Sequence, residues 1–514
     1  MEHISTSKRL VLVNALSQIV TRVLNLSVLV WLQQYLLKRI SPEEYSLFPV
    51  IMSAIFFMPL LTSFMNVGLT RHITEAYAKG DNDQVTTFVS SMFPIILGVG
   101  LFMMLLGIGF SWNVEQFLNI PDGRADEATL MMLLLVVTLG VDFILFPFRI
   151  GFNLKQRFVI LNIMRLGREL LRMLILLILL LCVSTSVVWV VLATAISTIL
   201  SVLVEVWFSR RIVPALTFRL SMMQLREVVE PLTFGWWSFI SQAAQQIKRS
   251  SDPIILNLFS TPLEVTCFFV GSLVGNNIFS MIHLFLIPLQ PQLIAMYVSG
   301  NKQKIRNAYY RINKYMMWAT LIAIAPLIIF RNEVVVLYIG AEYIKAATVL
   351  MLLLLPLPLY VSNVMLMRIA PAINQVRTTT SRELLSECMN MGLTIYLVAA
   401  LQMGAFGSAL ATCLVGIISQ LVLFIPLSVR LLDIDVKQWL TQILLPGLMP
   451  GLVASVVWVV LERYYSPQTW MSLAVCALGG IVVYCVFLFF FGLKAFERLE
   501  LIKGCQMLLA RFRS

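Results

Sequence analysis

The chain contains stretches of 26 and 31 residues, Tyr45–Thr70 and Gln84–Val114, without one charged side chain. A helix needs about 20 apolar residues to cross the hydrocarbon of a bilayer. Hydrophobic residues make up 59% of the 514 and charged residues only 12%. A water-soluble domain cannot hide that much apolar surface, so the bilayer must be the solvent. The first eight residues are polar and lead directly into an apolar stretch, with no small-residue cleavage site after it. They read as the lead into a first membrane helix and not as a removable signal.

Apolar runs predict an all-α polytopic membrane protein of about fourteen helices. Met173–Val204 is too long for one span and divides at the polar break Ser184-Thr185-Ser186. Cys388–Val429 divides near Gln402–Gly407. Val265–Asn301 holds one span ending near Pro288. Spans over about 9–36, 128–150, 227–258, 307–330 and 346–367, and two more over 438–461 and 464–493, complete the set. With the N-terminus inside, the inner loops carry 26 Arg and Lys and the outer loops 6. Basic loops stay on the cytoplasmic side during insertion, so this split predicts both ends in the cytoplasm. The outer loop 111–127 is acidic, with Glu115, Asp122, Asp126 and Glu127.

Residues 41–85 and 261–305 repeat at an offset of 220. Ser41-Pro42 aligns with Thr261-Pro262, Glu44 with Glu264, Tyr77 with Tyr297, Gly80 with Gly300 and Val85 with Ile305. Six spans separate the copies. An even number keeps their orientation, so the expected lobes are parallel repeats. The expected domains are an N-lobe over 1–212, a C-lobe over 213–432, two extra helices over 433–493 and a cytoplasmic tail over 494–514.

Polar groups at membrane depth are costly and tend to face a cavity or a partner. The first span carries Gln18, Arg22 and Asn25 on one helical face; its repeat mate carries Gln242, Gln245, Arg249 and Asp252, with Lys248 beside them. Both stripes are candidates for a cleft between lobes. A pairing of Lys248 or Arg249 with Asp252, and a snorkelling Arg22, are the structural alternatives. Asn276 and His283 share a face of the eighth span, suited to sugar hydroxyls or to ordinary interhelical bonds. His283 is also a candidate for proton coupling. Asp142 and Glu205 are candidates for a Na⁺ or H⁺ site, or for an ion pair with Arg149. Arg165, Arg168 and Arg172 suit recruitment of an anionic head group, or contact with anionic phospholipid. Gly271, Gly275, Gly447 and Gly451 permit close helix approach, and Pro288, Pro356 and Pro358 bend their helices.

Several classes fall away. There is no GxxxxGK[ST], no HExxH and only three histidines, so nucleotide-driven transport, zinc chemistry and a Ser/His/Asp hydrolase find no support. The seven cysteines form no CxxC pair. The net charge of +12 sits in short loops, which argues against nucleic acid as a partner. No cofactor and no metal is expected.

Several stretches resemble the polysaccharide transport branch of the multidrug/oligosaccharidyl-lipid/polysaccharide (MATE-like) flippase superfamily. They are Asn14–Ser17 with Ile40–Tyr45, Gly68–Gly80 followed by Asp81, Leu154–Phe158, Ser251–Ile255 and Tyr297–Arg311. The resemblance covers most of residues 10–430. It implies a non-enzymatic flippase in a bacterial inner membrane, moving undecaprenyl-pyrophosphate-linked oligosaccharide for O-antigen, capsule or exopolysaccharide assembly. Membrane lipids and a polysaccharide polymerase or chain-length machinery are the implied partners. Arg22, Lys248 and Arg249 would then hold the pyrophosphate or acidic sugars, since guanidinium offers phosphate a two-pronged match. Alternating access by two rocking lobes is the implied mechanism. A lipid II flippase, which also resembles this chain in having fourteen helices, a multidrug antiporter of the same superfamily and a non-transport scaffold for glycan assembly are the alternatives. The antiporter would need an acidic cavity.

Overall fold

The computed structural model describes residues 31–55, 57–224, 226–286, 302–373 and 375–493, with Leu293, Met296, Glu497 and Arg498. Among these residues every regular element is helical. The helices used below are α1 (Pro42–Ala54), α2 (Phe57–Ala78), α3 (Asn82–Trp112), α4 (Ala125–Leu145), α5 (Phe158–Cys182), α6 (Val188–Ile212), α7 (Arg226–Phe259), α8 (Pro262–Leu286), α9 (Lys302–Ile329), α10 (Lys345–Leu354), α11 (Val376–Ile395), α12 (Gly404–Ser419), α13 (Leu445–Tyr465) and α14 (Trp470–Phe487). Eight helical segments of the described residues are long and apolar enough to cross a membrane. Their outward faces are apolar: Met471, Val475, Leu478, Val482, Val486 and Phe490 form an exposed row along α14 and its extension. In water such a row would be costly; in hydrocarbon it is neutral.

The expected breaks fall where polar or left-handed residues interrupt the apolar pattern. α5 ends at Cys182 and α6 begins at Val188, on either side of Ser184–Ser186. Gln402 and Gly404 both take φ of 54° at the break before α12. Two expected spans differ in detail. Tyr45–Thr70 is divided between α1 and α2, and α2 continues through Arg71 to Ala78, because its charged residues sit on one face while Ile73 and Ala76 stay buried. The 346–367 span is three short helices, Lys345–Leu354, Leu357–Val361 and Leu366–Ala372, interrupted at Pro356. A ring nitrogen there cannot donate to the helix ladder. Four π-helical segments, Tyr396–Ala400, Gln420–Phe424, Leu440–Leu444 and Leu488–Gly492, occur in the C-terminal part. A π turn frees carbonyls, and two of them are used: Leu423 O accepts from Arg382 Nη1, and Phe490 O accepts from Arg498 Nη2.

The 220-residue repeat is visible as local chemistry. Ser41 Oγ accepts from the Glu44 backbone N–H, and Thr261 Oγ1 accepts from that of Glu264, so each copy opens a helix with the same N-cap followed by Pro. Thr266 Oγ1 also donates to Pro42 O at 3.1 Å.

The chain forms two compact units, residues 1–269 with 383–404, and residues 270–382 with 405–514. In the first, α2 packs along α7, α3 against α4, and α6 against both α4 and α5. Leu69, Ile73, Val85, Val89, Met92 and Phe143 are central to its core. In the second, α13 packs against α14 and α9. Trp318 Nε1 donates to Pro446 O at 2.9 Å, and Tyr484 Oη donates to Trp318 O at 3.0 Å. A Cβ on Gly480 would lie 2.1 Å from Trp458 Nε1, so glycine is what admits the indole there.

Candidate functional site

In the first unit, one face of α2 and the turn holding Asn153 line a cleft of about 610 Å³. Asn66, Thr70 and Thr74 follow one another at four-residue spacing, with Arg71, Glu75 and Ala78 alongside. The opposite face fixes the helix. Leu69 and Ile73 are fully buried, and His72 Nδ1 lies 2.8 Å from Gly68 O, where it donates back along the helix. The cleft face is ordered by its own bonds. Thr70 Oγ1 donates to Asn66 Oδ1 at 2.6 Å, Thr74 Oγ1 donates to Thr70 O at 2.6 Å, and Arg71 Nε donates to Glu75 Oε1 at 3.0 Å. That last bond, with the Arg71 charge, holds the Glu75 carboxyl below its usual range. Asn153 is presented by the turn Gly151–Leu154. Gly151 N donates to Ser209 Oγ at 3.1 Å, and a Cβ on Gly151 would lie 2.6 Å from that oxygen.

The expected site residues are distributed as follows. Gln18, Arg22 and Asn25 lie outside the described residues. Lys248 and Arg249 are on α7, with side chains outside the described set; Gln242 and Gln245 are exposed on the same helix. Asp252 is buried, and its Oδ1 accepts from Thr394 Oγ1 of α11 at 3.2 Å. One turn before Thr394, Asn390 is buried, and its Oδ1 accepts no hydrogen bond among the described residues. Asp142 and Glu205 meet on one guanidinium. Arg149 Nη2 stands 2.8 Å from Asp142 Oδ1, and Nη1 stands 3.1 Å from Glu205 Oε2. Ser201 Oγ donates to the other Glu205 oxygen at 3.1 Å. Arg165 is exposed on α5, whereas Arg168 and Arg172 both reach Glu169, at 3.4 and 2.7 Å.

In the second unit, Asn276 is exposed, and its backbone O accepts from Ser280 Oγ. His283 joins a polar group that sequence reasoning missed. Its Nε2 is 2.9 Å from Tyr360 Oη, and its Nδ1 accepts from Arg368 Nη2 at 2.8 Å. Guanidinium can only donate, so Nδ1 carries no proton and Nε2–H donates to Tyr360. Tyr360 follows the Pro356–Pro358 break, whose prolines announce a bend but not the side chain that it presents.

The α2 cleft was also missed. Its signal was the polar face of Gly68–Gly80, whose charges read as a loop.

The sequence of residues 7–290, more than half the chain, matches a family described as polysaccharide biosynthesis protein. The chain belongs to that family. Beyond the family match, the chain is 20% identical over 493 residues to the uncharacterized membrane protein EpsK of Bacillus subtilis (strain 168), covering 94% of each. Its fold is similar to that of the lipid II flippase MurJ in an inward closed conformation, with a TM-score of 0.71 at 16% identity over 93% of this chain and 98% of that one. It is similar as well to a multidrug resistance MATE family transporter of the MOP superfamily in an inward-facing conformation, with a TM-score of 0.60 at 15% identity, covering 80% and 94%. This member of the polysaccharide biosynthesis family therefore has a MurJ- and MATE-like fold. The likeness to MurJ spans nearly the whole chain.

Proposed function

We propose that this chain flips polyprenyl-pyrophosphate-linked oligosaccharide across a bacterial inner membrane for polysaccharide assembly, by alternating access. The family match over residues 7–290 carries this reading, and the transporter fold supports it. The proposed topology has fourteen spans with both termini cytoplasmic. Its proposed lobes are 1–212 and 213–432, followed by two additional helices over 433–493 and a cytoplasmic tail over 494–514.

In this reading Arg22, Lys248 and Arg249 replace the hydration that the pyrophosphate loses on leaving water. Gln18, Asn25, Gln242, Gln245 and Asn276 contact the sugars. Arg165, Arg168 and Arg172 gather anionic head groups at the membrane surface. A coupling cation, Na⁺ or H⁺, is assigned to Asp252, whose carboxylate faces the Thr394 hydroxyl; Asp142, Glu205 and His283 remain the other candidates. Polymerase or chain-length machinery would take the product on the outer face.

The fold likeness to MurJ over 93% of the chain favours one second reading, transport of lipid II. Reconstituted vesicles holding either a lipid-linked polysaccharide repeat unit or lipid II separate the two. Faster flipping of the repeat unit supports the first reading, and flipping of lipid II alone supports the second.

A further inference from the structure

The α2 cleft differs in chemistry from the cationic stripes assigned to the pyrophosphate. Among the described residues its lining holds two amides, Asn66 and Asn153, two hydroxyls, Thr70 and Thr74, one charge of each sign, Arg71 and Glu75, and the apolar Ala78. The two charges are bonded to each other at 3.0 Å. Glu75 stays ionised at neutral pH, because its carboxyl is held below its usual range. A phosphate entering the cleft would meet that carboxylate and gain little from an arginine already engaged by it. An uncharged ligand suffers no such penalty.

Donors and acceptors alternate along the wall. Since Thr70 Oγ1 donates to Asn66 Oδ1, the Thr70 oxygen keeps acceptor capacity and the Asn66 amide keeps its N–H donors. Thr74 Oγ1 is spent as a donor on Thr70 O and can still accept. Glu75 adds its second carboxylate oxygen, since only Oε1 is bonded to Arg71 among the described residues. Two turns from Asn66 to Thr74 span about 12 Å, the reach of more than one sugar ring. The volume of about 610 Å³ falls within the usual range of small-molecule sites. The wall is preorganised, because its opposite face is locked by Leu69, Ile73 and the His72–Gly68 bond.

We propose that this cleft binds an uncharged, multiply hydroxylated ligand, the sugar rings of a head group, separately from the site for its phosphates. The assignment to a head group rests on the flippase reading above; the ligand chemistry rests on the cleft alone. The proposed topology places this end of α2 on the cytoplasmic side, where a glycan would be sampled before flipping.

The test uses the full chain in nanodiscs, with its native cysteines replaced and a single reporter introduced by Ala78→Cys on the cleft wall. The rate of maleimide labelling is measured with free cellobiose, lactose or N-acetyllactosamine, and separately with inorganic pyrophosphate. We expect at least one disaccharide to slow labelling severalfold and pyrophosphate to leave it unchanged. Lys79→Cys, outside the cleft, should label at one rate throughout. Combining Ala78→Cys with Asn66→Ala and Thr74→Val should abolish the protection. Protection by pyrophosphate in place of sugar, or by no probe, overturns the proposal. Protection by sugar in a protein that flips no lipid-linked glycan would sink the flippase reading and leave the cleft standing. Flipping without sugar protection would do the reverse.

Discussion

Glu44 Oε1 accepts a hydrogen bond from the backbone N–H of Val187 at 3.0 Å, at the residue that opens α6. The same carboxylate lies 3.1 Å from Arg124 Nη1. Its repeat mate Glu264 is placed alike: a Cβ on Gly404, the first residue of α12, would lie 2.8 Å from Glu264 Oε2. In both copies the glutamate three residues after the N-cap stands at the residue that opens a later helix. A helix N-terminus offers unpaired N–H groups and the positive end of the macrodipole. Removing the carboxylate in Glu44→Ala is expected to cost about 1–3 kcal/mol, because it strands the Val187 N–H and uncouples Arg124. Glu44→Gln, which keeps an acceptor, should cost less. Thermal unfolding in detergent measures both, and equal losses would refute the helix-end role.

Arg149 is the common partner of Asp142 and Glu205. Arg149→Ala takes from buried Glu205 the guanidinium in ion-pair contact with it, a loss that costs about 3–5 kcal/mol. Neutralising the carboxylate in Arg149→Ala with Glu205→Gln should recover part of that loss. The same unfolding measurement checks the pair. If the double variant is no better than the single one, the carboxylate is not stabilised by Arg149.

Four glycines read from sequence as close-approach positions are not equivalent. A Cβ on Gly271 would lie 2.7 Å from Val349 Cγ1 and 3.0 Å from Ala346 O, whereas one on Gly275 would meet only Leu354 Cδ2 at 3.8 Å. Gly447 is tight against Met317, and Gly451 is at ordinary contact distance from Leu321. Gly271→Ala must push a β-branched side chain and a backbone carbonyl, and overpacking of that kind costs about 1–3 kcal/mol. Gly275→Ala should be neutral or slightly stabilising. Comparing the unfolding midpoints of the two variants tests the difference.

Lys314 on α9 and Glu497 beyond the last helix are both buried, with Nζ 3.0 Å from Oε1. Tyr315 Oη donates to the same oxygen at 2.7 Å, and the Trp318 ring lies 4.8 Å from the ammonium. The pair ties Glu497 to α9. Lys314→Met alone should cost about 3–5 kcal/mol by removing the ammonium paired with buried Glu497, while Lys314→Met with Glu497→Leu should be far milder. Limited proteolysis of the C-terminal segment, faster in the single variant than in the double, reads this out.

Part of this organisation was legible in the chain because it depends on local chemistry. The N-caps Ser41 and Thr261 announce the repeat through hydroxyls three residues ahead of Glu44 and Glu264. The breaks after Cys182 and before Gly404 announce themselves through serines and a glycine. What was not legible depends on which face a polar residue takes. Arg71 and Glu75 read as loop charges, although the helix continues beneath them on Ile73 and Ala76. Arg149 stands out in the sequence as a possible partner for Asp142 or Glu205, but only the packing of α4 and α6 shows that one guanidinium holds both carboxylates. Glu497 is 183 residues from Lys314, and no period or motif links them.

The central claim is that the protein carries an anionic, glycan-bearing lipid across a bilayer. The most direct measurement is the rate at which a fluorescent polyprenyl-pyrophosphate oligosaccharide becomes accessible to an impermeant quencher in vesicles containing the full chain. The account predicts flipping well above that of protein-free vesicles, slowed about tenfold or more by Arg22→Gln with Arg249→Gln. A rate equal to that of protein-free vesicles, or one that the two neutralisations leave unchanged, would contradict it.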